Sequence, residues 1–225
     1  VGEQRSYLAA VGHRGEDARV DQALVASAGQ AQVMSPEQRA GRVAILNGDL
    51  DMLQIGPLGK PNRALKAFKP SPLTPSEQYF QVTLWSILSQ PLLLSCNIPT
   101  MDEFDLNLVT NSEVLAVNQD PLGRQATMVY NGVRYQVWAK ELADGSKAVG
   151  IFNIGKEGPE EAFNWTGEPQ MLRIMVGANH IGLKEGGEYK IRDLWRQQDI
   201  GTFNNAFGFE VPLHGVRLLK ISKVE

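Results

Sequence analysis

Apolar and polar positions follow two grammars along this chain, and the change falls near residue 122. Val43-Ala44-Ile45-Leu46 is a short continuous apolar run bounded by Gly41 and by Asn47-Gly48, the pattern of a buried strand. Gly56 to Leu73 carries Pro57, Pro61, Pro70 and Pro72 and reads as loop. Thr74-Pro75-Ser76-Glu77 then has the form of a capping box with proline at the first helical position. Phe80, Leu84, Ile87 and Leu88 recur behind it at helical spacing, and Pro91 ends the helix. Leu92-Leu93-Leu94-Ser95 is a second apolar run of strand length. Thr100-Met101-Asp102-Glu103 predicts another capping box, opening a helix with Phe104, Leu106 and Leu108, and Ser112 to Val117 predicts one more short helix stopped near Asp120-Pro121. Strands alternating with helices point to a parallel α/β layer, and their unbroken apolar character to cover on both faces.

After Pro121-Leu122-Gly123 the period shortens. Met128-Val129-Tyr130, Asn131-Gly132 and Val133 to Trp138 predict a hairpin, because Asn-Gly suits a primed two-residue turn. Ala143-Asp144-Gly145-Ser146 is a further turn, leading into a strand over Ala148 to Asn153. More short runs follow at Met171–Val176, Tyr189–Leu194, Phe207–Val211 and Val216–Ile221. Strands at this spacing, with Gly and Pro between them, predict an antiparallel β-sandwich.

Composition narrows the function classes only a little. The chain has 225 residues, 43% of them hydrophobic, with 22 basic and 25 acidic side chains for a formal charge of −3. No basic footprint points to nucleic acid, and no run reaches the roughly 18 apolar residues of a membrane span. The opening Val1-Gly2-Glu3 has neither a start methionine nor a signal peptide, the expectation for a processed or truncated chain. Cys96 is the only cysteine, which excludes an internal disulfide and argues against a thiolate metal site. A half-buried inert thiol is the expected state of Cys96. His180 and His214 stand alone without ligand spacing, so no metal is expected there. Gly12-His13-Arg14-Gly15 reads as a solvated loop, and Asn164-Trp165-Thr166 is a glycosylation sequon if the protein is secreted by a eukaryote.

Five stretches, in order, carry a family resemblance. Asp49-Leu50-Asp51-Met52-Leu53-Gln54-Ile55-Gly56 resembles the Trp-Asn-Asp-Pro-Asp-Met-Leu-x-x-Gly stretch after the seventh barrel strand of glycoside hydrolase family 27, the α-galactosidases and α-N-acetylgalactosaminidases. Leu84 to Ser95 is similar to that family's last barrel helix and strand, and Asn111 to Gly123 to its junction sequence. Val137-Trp138-Ala139-Lys140 with Phe152-Asn153 resembles the start of its C-terminal β domain, and Arg192-Asp193-Leu194-Trp195 a late strand of it. The resemblance implies the last part of a (β/α)₈ TIM barrel over residues 1–122, with 1–42 unassigned, and a β-sandwich domain over 123–225. A whole barrel needs about 250 residues, so this chain would hold at most half of one.

The resemblance also implies a role for the 49–56 stretch. Residues just past the carboxyl end of a barrel strand face the active site, and a carboxylate there accepts charge-assisted hydrogen bonds from sugar hydroxyls. Asp51 would be the hydroxyl acceptor, Met52 an apolar wall of the sugar pocket, and Asp49 a brace for the loop. Family members retain anomeric configuration, which needs a nucleophile and an acid/base about 5 Å apart. The nucleophile's Lys-x-Asp strand has no counterpart here, and no Trp follows an Arg–Asp pattern in residues 1–42, so neither Asp17 nor Asp21 is assigned. Asn47-Gly48 stands where the family has Trp-Asn, and Leu50 where it has Pro.

No catalytic residue is therefore expected in this chain, which is read as part of an exo-acting retaining glycosidase on terminal α-galactosides, completed by an upstream barrel half or a partner chain. The expected partner is a carbohydrate, not nucleic acid or a membrane; a secreted or periplasmic location, and no metal or organic cofactor, are what the family implies. The alternatives are a non-catalytic sugar-binding or structural relative, and a β-sandwich interaction module without sugar affinity. Trp85 and Trp195 read as core positions, while Trp138 and Trp165 are open to sugar stacking.

Overall fold

A computed structural model describes residues 52–59, 68–155 and 171–224. The strand predicted at Val43–Leu46, the helix start at Ser35, and Asp17, Asp21, Asp49, Asp51 and Trp165 lie outside the described residues.

Among the described residues three α-helices come first: α1 (Pro75–Ile87), α2 (Glu103–Thr110) and α3 (Ser112–Asn118). The capping box expected at α1 is formed. Thr74 Oγ1 accepts from the Glu77 N–H at 3.4 Å, and Glu77 Oε2 accepts from the Thr74 N–H at 2.7 Å, so two otherwise orphaned donors are satisfied. At α2 the box is shifted from the predicted Thr100 to Asp102, whose Oδ1 accepts from the Asp105 N–H at 2.8 Å. Thr100 instead closes a 3₁₀ turn over Ile98–Thr100, because Pro99 fits the first positions of that turn. Asn111 caps α3 through Oδ1, and its Nδ2 donates to the carbonyls of Leu194 and Trp195 at 3.1 and 3.3 Å.

Eight strands follow: β1 (Thr127–Asn131), β2 (Tyr135–Glu141), β3 (Lys147–Asn153), β4 (Met171–Gly177), β5 (Tyr189–Asp193), β6 (Gln198–Phe203), β7 (Ala206–Pro212) and β8 (Val216–Lys223). They build a six-stranded sheet in the order β1-β2-β3-β8-β5-β6 and a two-stranded sheet β4-β7. Every named pair is antiparallel. The β1–β2 connection is not the predicted two-residue Asn-Gly turn: Asn131 stays in the ladder opposite Gln136, and the turn runs through Gly132, Val133 and Arg134. Gly132 is needed there for space, since a Cβ would come within 2.7 Å of the Tyr130 ring.

The six-stranded sheet is the middle of three layers. Because side chains alternate across a strand, β2 sends Val137 and Ala139 into a core shared with Ile174, Val176, Phe207 and Val211 of the small sheet. The intervening Trp138 goes to the opposite face, into a core with Phe80, Leu84 and Ile87 of α1 and Val114 and Val117 of α3. Ala148 to Asn153 of β3 are buried without interruption, as cover on both faces requires. Trp138 and Trp85 are core residues, 1% and 3% exposed. Trp195 packs edge-on against Tyr79, with its Nε1 donating to Thr83 Oγ1 at 2.8 Å.

Polar contacts fix the helices to the sheet. Arg192 of β5 grips Glu113 of α3 through Nε at 2.8 Å and Nη2 at 2.6 Å. Lys140 Nζ is buried and donates to the Val117 carbonyl at 2.5 Å and to Ser89 Oγ at 2.8 Å. Burial pushes its pKa down to about 8, against an upward pull from Asp120. His214, in the β7–β8 turn, places Nδ1 3.2 Å from Glu77 Oε1 and Nε2 3.1 Å from the Gly155 carbonyl. Burial raises the Glu77 pKa, but hydrogen bonds from His214 and Thr74 outweigh it and hold the carboxyl below its ordinary value.

Candidate functional site

The Asp51-Met52 stretch leads into a segment held by unlike partners at successive backbone groups. Leu53 N–H donates to the Leu93 carbonyl at 2.7 Å, and Leu53 bridges Leu94 in parallel. Ser95 Oγ donates to the Leu53 carbonyl at 2.8 Å. One residue on, Gln54 N–H donates to Gln81 Oε1 at 3.0 Å, and Ser71 Oγ donates to the Gln54 carbonyl at 2.6 Å. Both peptide groups of the pair are thereby satisfied without a strand on each side, as backbone polar groups taken from water demand.

The side chains here divide sharply. Leu53 and Ile55 are core residues, at 1% and 0% exposure, whereas Met52 is 45% exposed and Leu93 47%. The segment then turns at Gly56, whose φ of +78° favours glycine. A Cβ at Gly56 would lie 3.2 Å from Asp105 Oδ2 and 3.5 Å from the Cys96 Cβ, so the turn packs closely on both. Leu58 closes the segment with antiparallel bridges to Lys69 and Cys96.

Two titratable groups adjoin Gly56. Burial raises the Asp105 pKa and the neighbouring Asp102 charge raises it further, while the carboxyl takes part in the α2 capping box. Burial likewise raises the Cys96 thiol, and the Asp105 charge adds to it. A half-buried thiol pushed upward is a poor nucleophile, which agrees with the inert state expected of Cys96.

Of the predicted site residues, Met52 is described and open to solvent at the mouth of the Leu53–Leu94 contact. The bracing side chains Gln81, Ser71 and Ser95 are not evident from the hydrophobic pattern. The signal for Gln81 is polar chemistry in an apolar setting: Gln78, Gln81, Thr83 and Ser86 are all buried on α1. A separate shallow concavity lies on the β-sandwich between Tyr130, Tyr135, Val137, Met175, Val176 and His180. None of these six residues carries a carboxylate.

Comparison with known proteins gives this geometry its family. Residues 133–221 match the family described as the alpha galactosidase C-terminal beta sandwich domain. A Dictyostelium discoideum protein named "Probable alpha-galactosidase" is 32% identical over 178 residues, 77% of this chain and 40% of its own length. The α-galactosidase of Cyamopsis tetragonoloba is 28% identical over 76% of this chain and 35% of its own. Among solved structures, a GH27 β-L-arabinopyranosidase from Geobacillus stearothermophilus superposes with a TM-score of 0.65 at 30% identity, covering 78% of this chain and 37% of that one. α-Galactosidase I from Mortierella vinacea gives 0.63 at 26% identity, covering 78% and 39%. The chain thus spans about two fifths of the length of these relatives. The order of the matching stretches, the β-sandwich and these likenesses together make the chain similar to a C-terminal region of glycoside hydrolase family 27, the α-galactosidase family.

Proposed function

We propose that this chain is the C-terminal part of a retaining exo-glycosidase that hydrolyses terminal α-galactosides. Residues 1–122 would be the end of a (β/α)₈ barrel, with 1–42 unassigned, and residues 123–225 the β-sandwich domain. The observation that carries the barrel reading is the parallel contact between Leu53 and Leu94 with α1 lying between them in the chain. Parallel neighbours need a crossover, ordinarily a helix, and strand–helix–strand is the repeating unit of such a barrel. The names of the relatives, α-galactosidases in the main, support the substrate class.

In this reading Asp51 accepts hydrogen bonds from sugar hydroxyls, exposed Met52 forms an apolar wall, and Asp49 braces the loop. The nucleophile and the acid/base come from an upstream barrel half or a partner chain. Exposed Leu93 beside the parallel contact marks the edge that such a segment would cover, since an apolar strand edge left open is an aggregation hazard. The β-sandwich supplies a platform: Trp138 and His214 tie α1 to it, and Lys140 and Arg192 tie α3.

The test is p-nitrophenyl α-galactoside hydrolysis by the product of the upstream-extended reading frame, with and without Asp51→Ala. A lost charge-assisted hydrogen bond of about 1.5–3 kcal/mol lowers kcat/KM about 10- to 100-fold. An unchanged kcat/KM in Asp51→Ala removes that residue from the pocket. No hydrolysis of this or related α-glycosides by the parent ends the enzyme reading.

A further inference from the structure

We propose that Gln81 is a positioning residue for the sugar pocket: from the core of α1 it holds the Gln54 peptide, and through that peptide the orientation of Met52. The inference rests on the pocket reading of Asp51 and Met52. Gln81 is 3% exposed on α1, flanked in sequence by buried Phe80 and Val82 and followed one turn on by buried Leu84. Burying a side-chain amide is costly unless it is hydrogen-bonded. Here the carbonyl end reaches 27 residues back along the chain to accept from the Gln54 N–H at 3.0 Å.

That contact completes a frame on two consecutive peptide groups. Leu93 and Ser95 hold the two backbone groups of Leu53, and Gln81 and Ser71 those of Gln54. The four anchors come from three separate segments: the loop before α1, α1 itself, and the run after Pro91. Met52 directly precedes the framed pair, so a rotation of the Gln54 peptide passes to it through few bonds. Of the three side-chain anchors, Gln81 is the most buried and sits in a regular helix, which makes it the fixed reference for the others. Misplacing a binding group by about 1 Å can cost up to about 100-fold in rate.

Two substitutions separate positioning from mere stability. Gln81→Met keeps the length of the side chain, removes the acceptor and replaces a buried amide with apolar volume. Gln81→Glu keeps an acceptor for the Gln54 N–H but buries a carboxyl. Stability therefore orders Met above Glu, and sugar recognition orders Glu above Met. In the upstream-extended protein, Gln81→Met is expected to raise KM for p-nitrophenyl α-galactoside about tenfold with kcat within about twofold. Its melting temperature stays closer to that of the parent than the melting temperature of Gln81→Glu does. The Gln54 amide loses hydrogen-exchange protection in Gln81→Met and keeps it in Gln81→Glu, whose KM returns toward the parent value. Ser86→Ala, on the same helix with an Oγ that makes no hydrogen bond, serves as the control and leaves KM unchanged. If KM stays flat in Gln81→Met, or follows melting temperature across both variants, the positioning role is overturned. If Asp51→Ala also leaves KM unchanged, the pocket reading itself has failed, whereas a loss in Asp51→Ala alone spares the pocket and sinks only the role of Gln81.

Discussion

The β-sandwich and the segment around Leu53 and Leu94 bury the same kind of side chain by different means. β3 has β2 on one side and β8 on the other, α1 over one face and the small sheet beyond the other. Its apolar residues and its backbone groups are satisfied by the same neighbours. Leu53 and Leu94 share a single parallel bridge, Leu93 beside them is half exposed, and side chains of Gln81, Ser71 and Ser95 take over backbone groups that a ladder would otherwise satisfy. Leu53 is buried by packing and by side-chain hydrogen bonds to its neighbours rather than by a ladder, and the run Leu92 to Leu94 stays partly exposed. The sandwich contains its own partners, and the Leu53 segment points to partners elsewhere.

The largest expected effect lies in the closed region. Trp138 is 1% exposed between the sheet and α1, with Nε1 donating to Gln136 Oε1 at 3.1 Å. Trp138→Ala should destabilise by about 3–5 kcal/mol in urea unfolding. A loss below about 1 kcal/mol would show that the helices do not depend on that face of the sheet.

Leu93 sharpens the contrast from the open side. Leu93→Gln in the 225-residue chain should change stability by less than about 0.5 kcal/mol, as an exposed substitution does. In the upstream-extended protein, where the barrel would cover it, the same change should cost about 1–3 kcal/mol. Equal small effects in both proteins would mean that nothing covers this edge.

Lys140 offers a pH dependence specific to the junction. Its folded pKa, about 8, lies below the ordinary 10.5, so between these values the unfolded chain binds more protons than the folded one. Stability should therefore rise with pH from about 8 to about 10.5 on this group's account. Lys140→Met should flatten that rise in unfolding free energies measured across the window, and a slope that persists would place its origin in other groups.

The sequence makes the closed region easy to read and the open one hard, for the same physical reason. Seven of the eight strands announce themselves through apolar runs, but β6 does not, because it is an edge strand whose residues from Gln198 to Thr202 are exposed. Pairing with β5 and the contacts of Lys190 and Arg192 with Asp199 hold it instead. The α1 capping box is local, four residues long, and legible as written; that of α2 slips to Asp102 because Pro99 draws Thr100 into a 3₁₀ turn. The pocket role proposed for Met52 comes from resemblance. The contact of Gln81 is not legible that way, because its partner is 27 residues away and the bond shows only once α1 is packed.

The most direct measurement is p-nitrophenyl α-galactoside hydrolysis by the 225-residue chain and by the upstream-extended protein, side by side at equal concentration. The account predicts turnover by the extended protein and none by the chain alone, because the nucleophile and the acid/base are supplied from outside it. Turnover by the chain alone at a comparable rate would contradict the account.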